Sequence, residues 1–276
     1  MPLFTVSPLL RLCATLLLPL LLTGCAGLEG KRSAAIDGRQ VEFALSGHAA
    51  PAVVFDNGLG AHLESWGKVY PELARSHTVF VYNRPGVGGS APAASPRDGQ
   101  HIVDELRALL RAQGLAPPYV LVGHSLGGLY MQLYLRRYPD EVAALVLVDS
   151  THPRQFTGAG APAHWPGWVR LAFGAWNSGA GRAEFDAAAA TGEQVLALPA
   201  PAGKPVYVLS ARQPAADGSA YLDDLVAKRA AIAALYPGAR QVWVDSGHNI
   251  PLERPDAVLA AVRAALADAG AGGARD

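Results

Sequence analysis

Residues 119–127 read YVLVGHSLG, and this stretch decides the fold. Four apolar residues that are typical of a buried strand lead into Gly123-His124-Ser125-Leu126-Gly127, and a helical pattern follows as far as Arg137. A serine between two glycines at such a strand-to-helix turn is held above the edge of a sheet, with its hydroxyl exposed. We therefore predict Ser125 as a nucleophile. The alternative is a glycine-rich turn without chemistry, in which the glycines only prevent side-chain collisions.

Strand and helix patterns alternate on both sides of this turn, which is typical of a mostly parallel sheet covered by helices. An Asp-Gly pair at positions 37–38 predicts an opening hairpin over residues 34–45. The short apolar runs predicted as buried strands are 52–55, 78–82, 119–122, 143–148, 205–209 and 241–244, and helical spacing is clearest at 102–110, 126–137, 221–235 and 255–267.

One stretch, residues 151–204, breaks this alternation. It contains Trp165, Trp168 and Trp176 among glycine, proline and alanine, without a strand pattern. Large aromatic side chains need burial, so we expect a small cap inserted over a pocket. The alternative is a plain surface excursion of the chain.

The N-terminus carries an apolar run at residues 12–22, which is too short to span a membrane and is typical of a secretory signal peptide over residues 1–24. The sequence Leu22-Thr23-Gly24-Cys25 resembles the lipobox of bacterial lipoproteins. That resemblance implies cleavage before Cys25, a lipid on its sulfur and attachment to a membrane of the bacterial cell envelope, with the outer membrane favoured because Ala26 follows. The alternative is an ordinary signal peptide with an incidental cysteine. Residues 25–34 are predicted as a tether and 270–276 as a disordered tail.

The Gly123–Gly127 motif, the pair Gly247-His248 and the strand order resemble the α/β-hydrolase fold over about residues 35–269. The resemblance implies an α/β architecture with a mostly parallel, eight-stranded type of sheet, helices on both faces and a small cap. It also implies a nucleophile, an acid and a histidine in that chain order. His248 follows the last predicted strand, where the family places the base that takes the nucleophile's proton. Haloalkane dehalogenases and epoxide hydrolases are similar but carry Asp where this chain has Ser125.

The acid is harder to assign. The family usually places it just after the strand predicted here at 205–209, and no carboxylate stands there. Asp149, at the end of the preceding strand, is the preferred candidate, because some members of the family use that position. Asp217 is the alternative acid, and Asp245 is expected to belong to the loop before His248.

The predicted oxyanion hole lies in the loop after the strand at 52–55, which reads DNGLG over residues 56–60. The family often has His-Gly-x-Gly in this loop, and here Asn57 replaces the histidine. The resemblance implies that the backbone N–H groups of Leu59 and Leu126 are the donors. His124 is expected to pack or to line the pocket, and the loop NRPGVGGS at 83–90 to form turns.

Composition limits the function classes. The 276 residues carry a formal net charge of zero, and half are apolar, so a nucleic-acid partner has no support. No metal-ligand or dinucleotide motif is present, so neither a metal nor a cofactor is expected. We expect a serine hydrolase that cleaves small, apolar carboxylic esters through an acyl-enzyme on Ser125. Open alternatives are acyl transfer, cleavage of an amide or carbon–carbon bond, and a non-catalytic ligand-binding module.

Overall fold

The computed structural model describes residues 28–36, 38–167, 169–171 and 179–272. Eight strands within these residues form one sheet in the order β1-β2-β4-β3-β5-β6-β7-β8. The pairs β1–β2 and β2–β4 are antiparallel, and all other neighbours are parallel. The strands are β1 (Lys31–Ile36), β2 (Arg39–Ser46), β3 (Ala52–Asp56), β4 (Val79–Tyr82), β5 (Tyr119–His124), β6 (Val142–Val148), β7 (Val206–Ala211) and β8 (Arg240–Val244).

Helices cover both faces of this sheet. They are α1 (Tyr70–Ala74), α2 (Gly99–Ala112), α3 (Leu126–Arg137), α4 (Gly179–Asp186), α5 (Ala188–Leu196), α6 (Ala220–Ala231), α7 (Ile250–Glu253) and α8 (Pro255–Gly272). The apolar faces of α2 and α3 pack in one buried layer, and those of α1 and α8 pack in a second layer on the opposite face. The predicted fold class, a mostly parallel eight-stranded sheet with helices on both sides, is confirmed.

The central strands are short apolar runs because both of their faces are covered. All residues of β3, β4, β5 and β7 are buried. Neighbouring parallel strands end at the same edge of the sheet, so the residues that follow β3, β5 and β6 are brought together there. This edge carries Asn57, Ser125 and Asp149, three of the polar residues that the sequence singles out.

The predicted ends of the domain need correction. Residues 31–34 of the predicted tether form part of β1, which pairs with β2 from Lys31 opposite Ala44. This edge strand is mostly exposed and begins with three polar residues, so its first half leaves no apolar pattern in the sequence. At the other end, α8 continues to Gly272, into the predicted tail, because the alanines near its end favour helix. The predicted signal peptide, Cys25 and residues 273–276 lie outside the described residues.

The predicted insertion lies between β6 and β7 and contains α4, α5 and two short 3₁₀ turns, Gly158–Gly160 and Pro162–His164. Helix α5 packs on α2 and α3, which ties the insertion to the body of the domain. Trp165 is buried against the rings of Phe156, Phe185 and Tyr221. Trp168 and Trp176 lie outside the described residues. Within the described part of the chain, no helix is both long and apolar enough to cross a bilayer.

Candidate active site

Ser125 lies on a strained turn between β5 and α3. Its φ of 52° and ψ of −122° fall in a region that residues with a side chain rarely adopt. A methyl group at Gly123 would lie 2.5 Å from the Cα of Gly128, and one at Gly127 would overlap the carbonyl oxygens of Asp56 and Asn57. The two glycines are therefore required by close backbone approach, and the turn projects Ser125 from the sheet edge at the N-terminus of α3.

A relay of two hydrogen bonds connects three predicted residues. Ser125 Oγ lies 3.0 Å from His248 Nε2, and His248 Nδ1 lies 2.6 Å from Asp149 Oδ2. When His248 is neutral, Nδ1–H donates to the carboxylate and leaves Nε2 as an acceptor for the serine hydroxyl. The side chain of His248 is about half exposed, whereas that of Asp149 is buried. The arrangement thus places a base beside the serine and a carboxylate behind the base.

Asp149 is held by several donors at the end of β6. Its Oδ1 accepts a hydrogen bond from the Ala211 N–H at 3.0 Å, and its Oδ2 accepts one from Arg229 at 3.0 Å in addition to that of His248. Burial alone would raise the pKa of the Asp149 carboxyl. The hydrogen bond from His248 and the charges of His248 and Arg229 outweigh burial and lower this pKa below its ordinary value. Asp149 is therefore ionised at neutral pH.

The alternative acid is not brought to this relay. Asp217 is exposed in the loop after β7 and accepts a hydrogen bond from the N–H of Ser219 at 2.8 Å. Asp245 is also exposed, in the loop that leads to His248. Of the carboxylates considered from the sequence, Asp149 alone contacts the imidazole within the described residues.

The loop after β3 lies directly beside Ser125. A methyl group at Gly58 would lie 3.4 Å from the Cβ of Ser125. The buried guanidinium of Arg84 donates to the carbonyl oxygens of Asn57 at 2.6 Å and of Gly58 at 2.8 Å. In a trans peptide the carbonyl and the following N–H point in opposite directions, so the N–H of Leu59 points away from Arg84. Arg84 thereby fixes the orientation of the peptide that carries the predicted Leu59 donor.

Leu126, the other predicted donor, is the first residue of α3. The first N–H groups of a helix have no acceptor inside the helix, so this amide is free to bind negative charge beside Ser125. Together, Leu59 and Leu126 are placed on the two backbone segments that flank the serine.

His124 lies between the loop after β3 and the loop that carries His248. Its Nε2–H donates to the backbone carbonyl oxygen of His248 at 2.9 Å, and the two rings lie 4.8 Å apart. Burial, together with the nearby His248, lowers the pKa of His124 to about 3. His124 is therefore a neutral residue that packs against the base, which agrees with the packing interpretation of the sequence.

A cavity of about 170 Å³ opens beside Ser125 and His248. Its apolar wall comes from the insertion and from α6, and consists of Phe156, Trp165, Val169, Tyr221 and Leu225. Its polar lining includes Thr151, Gln155 and Arg229. The inserted segment thus contributes residues to the wall of this cavity. Among the described residues, no group of three or more His, Cys, Asp or Glu side chains is arranged to hold a metal ion.

Three polar residues around the site were missed from the sequence. Arg84 lies two residues after β4 at the same sheet edge, and this position is the one signal that was available. Glu184 on α4 is buried and binds Arg84, while Arg229 on α6 binds Asp149. Their sequence neighbourhoods look like ordinary helices, so only the folded chain reveals their partners.

Comparison with known proteins agrees with this architecture. A family model described as alpha/beta hydrolase fold matches residues 51–178. The human (Lyso)-N-acylphosphatidylethanolamine lipase is 31% identical over 129 residues, which cover 43% of this chain and 36% of that protein. The chain spans less than half the length of the curated relatives it matches first.

Solved structures share the fold over most of their length. A thermophilic esterase from Thermogutta terrifontis has a TM-score of 0.61 and 21% identity, with 87% of this chain and 98% of that chain covered. A hydrolase from Pseudomonas aeruginosa PA01 has a TM-score of 0.61 and 21% identity, with coverages of 87% and 99%. The matched family model, the sheet topology and these shared structures show that the chain has the α/β-hydrolase fold.

Proposed function

We propose that the protein is a serine hydrolase that cleaves uncharged carboxylic esters through an acyl-enzyme on Ser125. The observation that carries this proposal is the relay of Ser125, His248 and Asp149, with contacts of 3.0 Å and 2.6 Å, at the end of the parallel strands. A serine hydroxyl is a weak nucleophile until an adjacent base removes its proton. The contact of His248 with Ser125, and that of buried Asp149 with His248, support the roles of base and orienting carboxylate.

The reaction proceeds in two steps of acyl transfer. His248 Nε2 accepts the Ser125 proton while Oγ attacks the ester carbonyl, and the amides of Leu59 and Leu126 bind the developing oxyanion. The protonated His248 then donates its proton to the leaving alcohol, and the acyl-enzyme remains. A water molecule, deprotonated by His248, attacks this acyl-enzyme and releases the carboxylic acid with Ser125 restored. Asp149 holds the imidazole in the required tautomer and stabilises its positive charge throughout.

The cavity supports a preference for apolar substrates. Phe156, Trp165 and Tyr221 present aromatic surface to a ligand, and Leu225 extends this wall. The burial of apolar substrate groups there contributes about 25 cal/mol per Å² of area removed from water. The names of the similar proteins, which include a lipase and an esterase, agree with an ester substrate.

The direct test is a panel of neutral p-nitrophenyl esters of increasing acyl length, assayed with the protein and with Ser125→Ala. We expect hydrolysis by the wild type, loss of turnover in the variant, and stoichiometric labelling of Ser125 by a fluorophosphonate. Folded Ser125→Ala that retains full activity overturns the mechanism. Addition of an alcohol acceptor followed by product analysis separates hydrolysis from acyl transfer.

We also propose that the protein is a lipoprotein of the bacterial cell envelope, anchored through Cys25 and favouring the outer membrane. The sequence Leu22-Thr23-Gly24-Cys25 supports this proposal. Several acyl chains give stable anchoring, because each buried methylene contributes about 0.8 kcal/mol. Labelling of bacterial cells with a palmitate analogue, with Cys25→Ser as control, tests it: incorporation should require Cys25.

A further inference from the structure

Arg229 contacts the same oxygen atom of Asp149 that His248 uses. Its Nη2 donates to Asp149 Oδ2 at 3.0 Å, and His248 Nδ1 lies 2.6 Å from that atom. The side chains of Arg229 and Asp149 are both buried, with exposed fractions of 8% and 1%. A permanent positive charge therefore lies within two hydrogen-bond lengths of the imidazole.

Other contacts fix the position of this guanidinium. Its Nη1 donates to the backbone carbonyl oxygen of Gln213 at 3.3 Å, just after β7. The backbone carbonyl of Arg229 accepts a hydrogen bond from Gln241 on β8 at 2.9 Å, which anchors the end of α6 to the sheet. The family resemblance places an acid after the strand that precedes Gln213, and this chain has none there. Arg229 instead reaches from α6 to the carboxylate on β6.

We propose that Arg229 is a positioning residue that holds Asp149 as the carboxylate and sets the pH at which the Asp149–His248 pair takes up a proton. This inference rests on the proposed function, in which His248 must be neutral to act as a base. A buried carboxylate is costly to ionise without a partner, and Arg229 supplies that partner. The same positive charge disfavours a second positive charge on the imidazole, because like charges at such short distances repel strongly.

Few other charged or titratable groups face this pair. On β5, His124 is held neutral by burial, which lowers its pKa to about 3. Tyr221 on α6 lies across the cavity, and burial raises the pKa of its phenol, so it is neutral as well. The carboxylate of Glu253 on α7 accepts the N–H of Gly247 at 2.7 Å, beside His248. Arg229 is therefore the cation that contacts the pair among the described residues.

The test compares Arg229→Gln with Arg229→Lys in the full-length protein. Removal of the positive charge should let the Asp149–His248 pair bind its proton at higher pH. The acidic limb of the kcat/KM profile for a neutral ester should therefore shift to higher pH by about one unit in Arg229→Gln. Arg229→Lys keeps the charge and should stay near the wild type. If Arg229→Gln does not fold, the same shift is expected for Arg229→Met, because methionine keeps a long apolar side chain without the charge.

Arg136→Gln is the matched control. Arg136 is a partly buried arginine on α3 whose guanidinium donates to the carbonyl oxygens of Leu198 and Val195, away from the relay. Its loss should lower stability and leave the pH profile in place. The proposal is overturned if the profile of Arg229→Gln coincides with that of the wild type, or if Arg229→Lys shifts it equally.

A second readout does not need activity. The low-field proton resonance of His248 Nδ1–H, followed by NMR against pH, should change at a pH about one unit higher in Arg229→Gln than in the wild type. If no ester is hydrolysed, the proposed function fails, and this resonance still decides the role of Arg229. Equal titrations in the two proteins would refute it.

Discussion

Arg84 and Glu184 form a fully buried, two-pronged ion pair that joins the sheet edge beside Ser125 to helix α4 of the insertion. Nε and Nη2 of Arg84 each lie 2.8 Å from an oxygen of Glu184. Nη1 donates to Asp56 and to the carbonyl oxygen of Asn57, and Nη2 also donates to the carbonyl oxygen of Gly58. Through Arg84, the position of α4 is thereby linked to the loop that carries the Leu59 amide.

Replacement of Glu184 should therefore destabilise the protein. Glu184→Gln removes one charge and leaves the Arg84 charge less compensated in a buried site, which costs about 3 kcal/mol. We expect the melting temperature to fall by about 6–12 °C in calorimetry. Glu193→Gln, an exposed glutamate on the neighbouring helix α5, is the control and should melt with the wild type. Equal melting temperatures for both variants would show that the buried pair adds no stability.

The two candidate acids should differ sharply in their effect on turnover. Asp149→Asn removes the carboxylate that orients His248, so kcat should fall by about 10⁴-fold. Asp217→Asn changes an exposed side chain away from the relay and should leave kcat unchanged. Steady-state kinetics on one neutral ester would check both. The opposite order would transfer the acid role to Asp217.

His124 should make the protein sensitive to acid. The folded state holds this imidazole neutral, with a pKa of about 3, while the unfolded chain binds a proton below about pH 6.5. The contribution to stability is therefore complete above pH 6.5 and declines as the pH falls toward 3. The loss of this contribution should lower the free energy of unfolding by about 2 kcal/mol between pH 7 and pH 5.

His124→Gln tests this dependence, because glutamine stays neutral and keeps a donor for the carbonyl of His248. Urea denaturation at pH 7 and pH 5 should show a smaller loss of stability in the variant than in the wild type. The same loss in both proteins would mean that His124 does not titrate on unfolding.

Trp165 should determine how well large apolar substrates bind. Its ring lines the cavity and contacts Phe156 and Tyr221. Trp165→Ala removes buried apolar contact, so KM for long-chain or aromatic esters should rise about tenfold, with a smaller change for acetyl esters. Trp243→Ala on the edge strand β8 changes a partly exposed tryptophan outside the cavity and serves as the control. An unchanged chain-length preference in Trp165→Ala would place the substrate elsewhere.

The sequence predicted those parts of the molecule that local patterns encode. The bounds of α3, the buried run of β5 and the steric need for Gly123 and Gly127 follow from short stretches of chain. From the sequence, Asp149 could be preferred over Asp217 as the acid, but the choice could not be made. It depends on how β6 pairs with β7, which places the end of β6 relative to the loop after β7. Arg229 and Glu184 lie far along the chain from their partners, and no periodicity links such distant charges.

Because Asp149 lies at the end of β6, the segment after β7 does not have to supply the acid. Residues 212–218 are exposed and supply no side chain to the relay, although the carbonyl of Gln213 receives Arg229. The proposed relay therefore does not depend on the side chains of this segment. Positions 214–218 are therefore exposed sites at which a designer can graft longer recognition elements, or a lineage can explore new selectivity, with the relay unchanged.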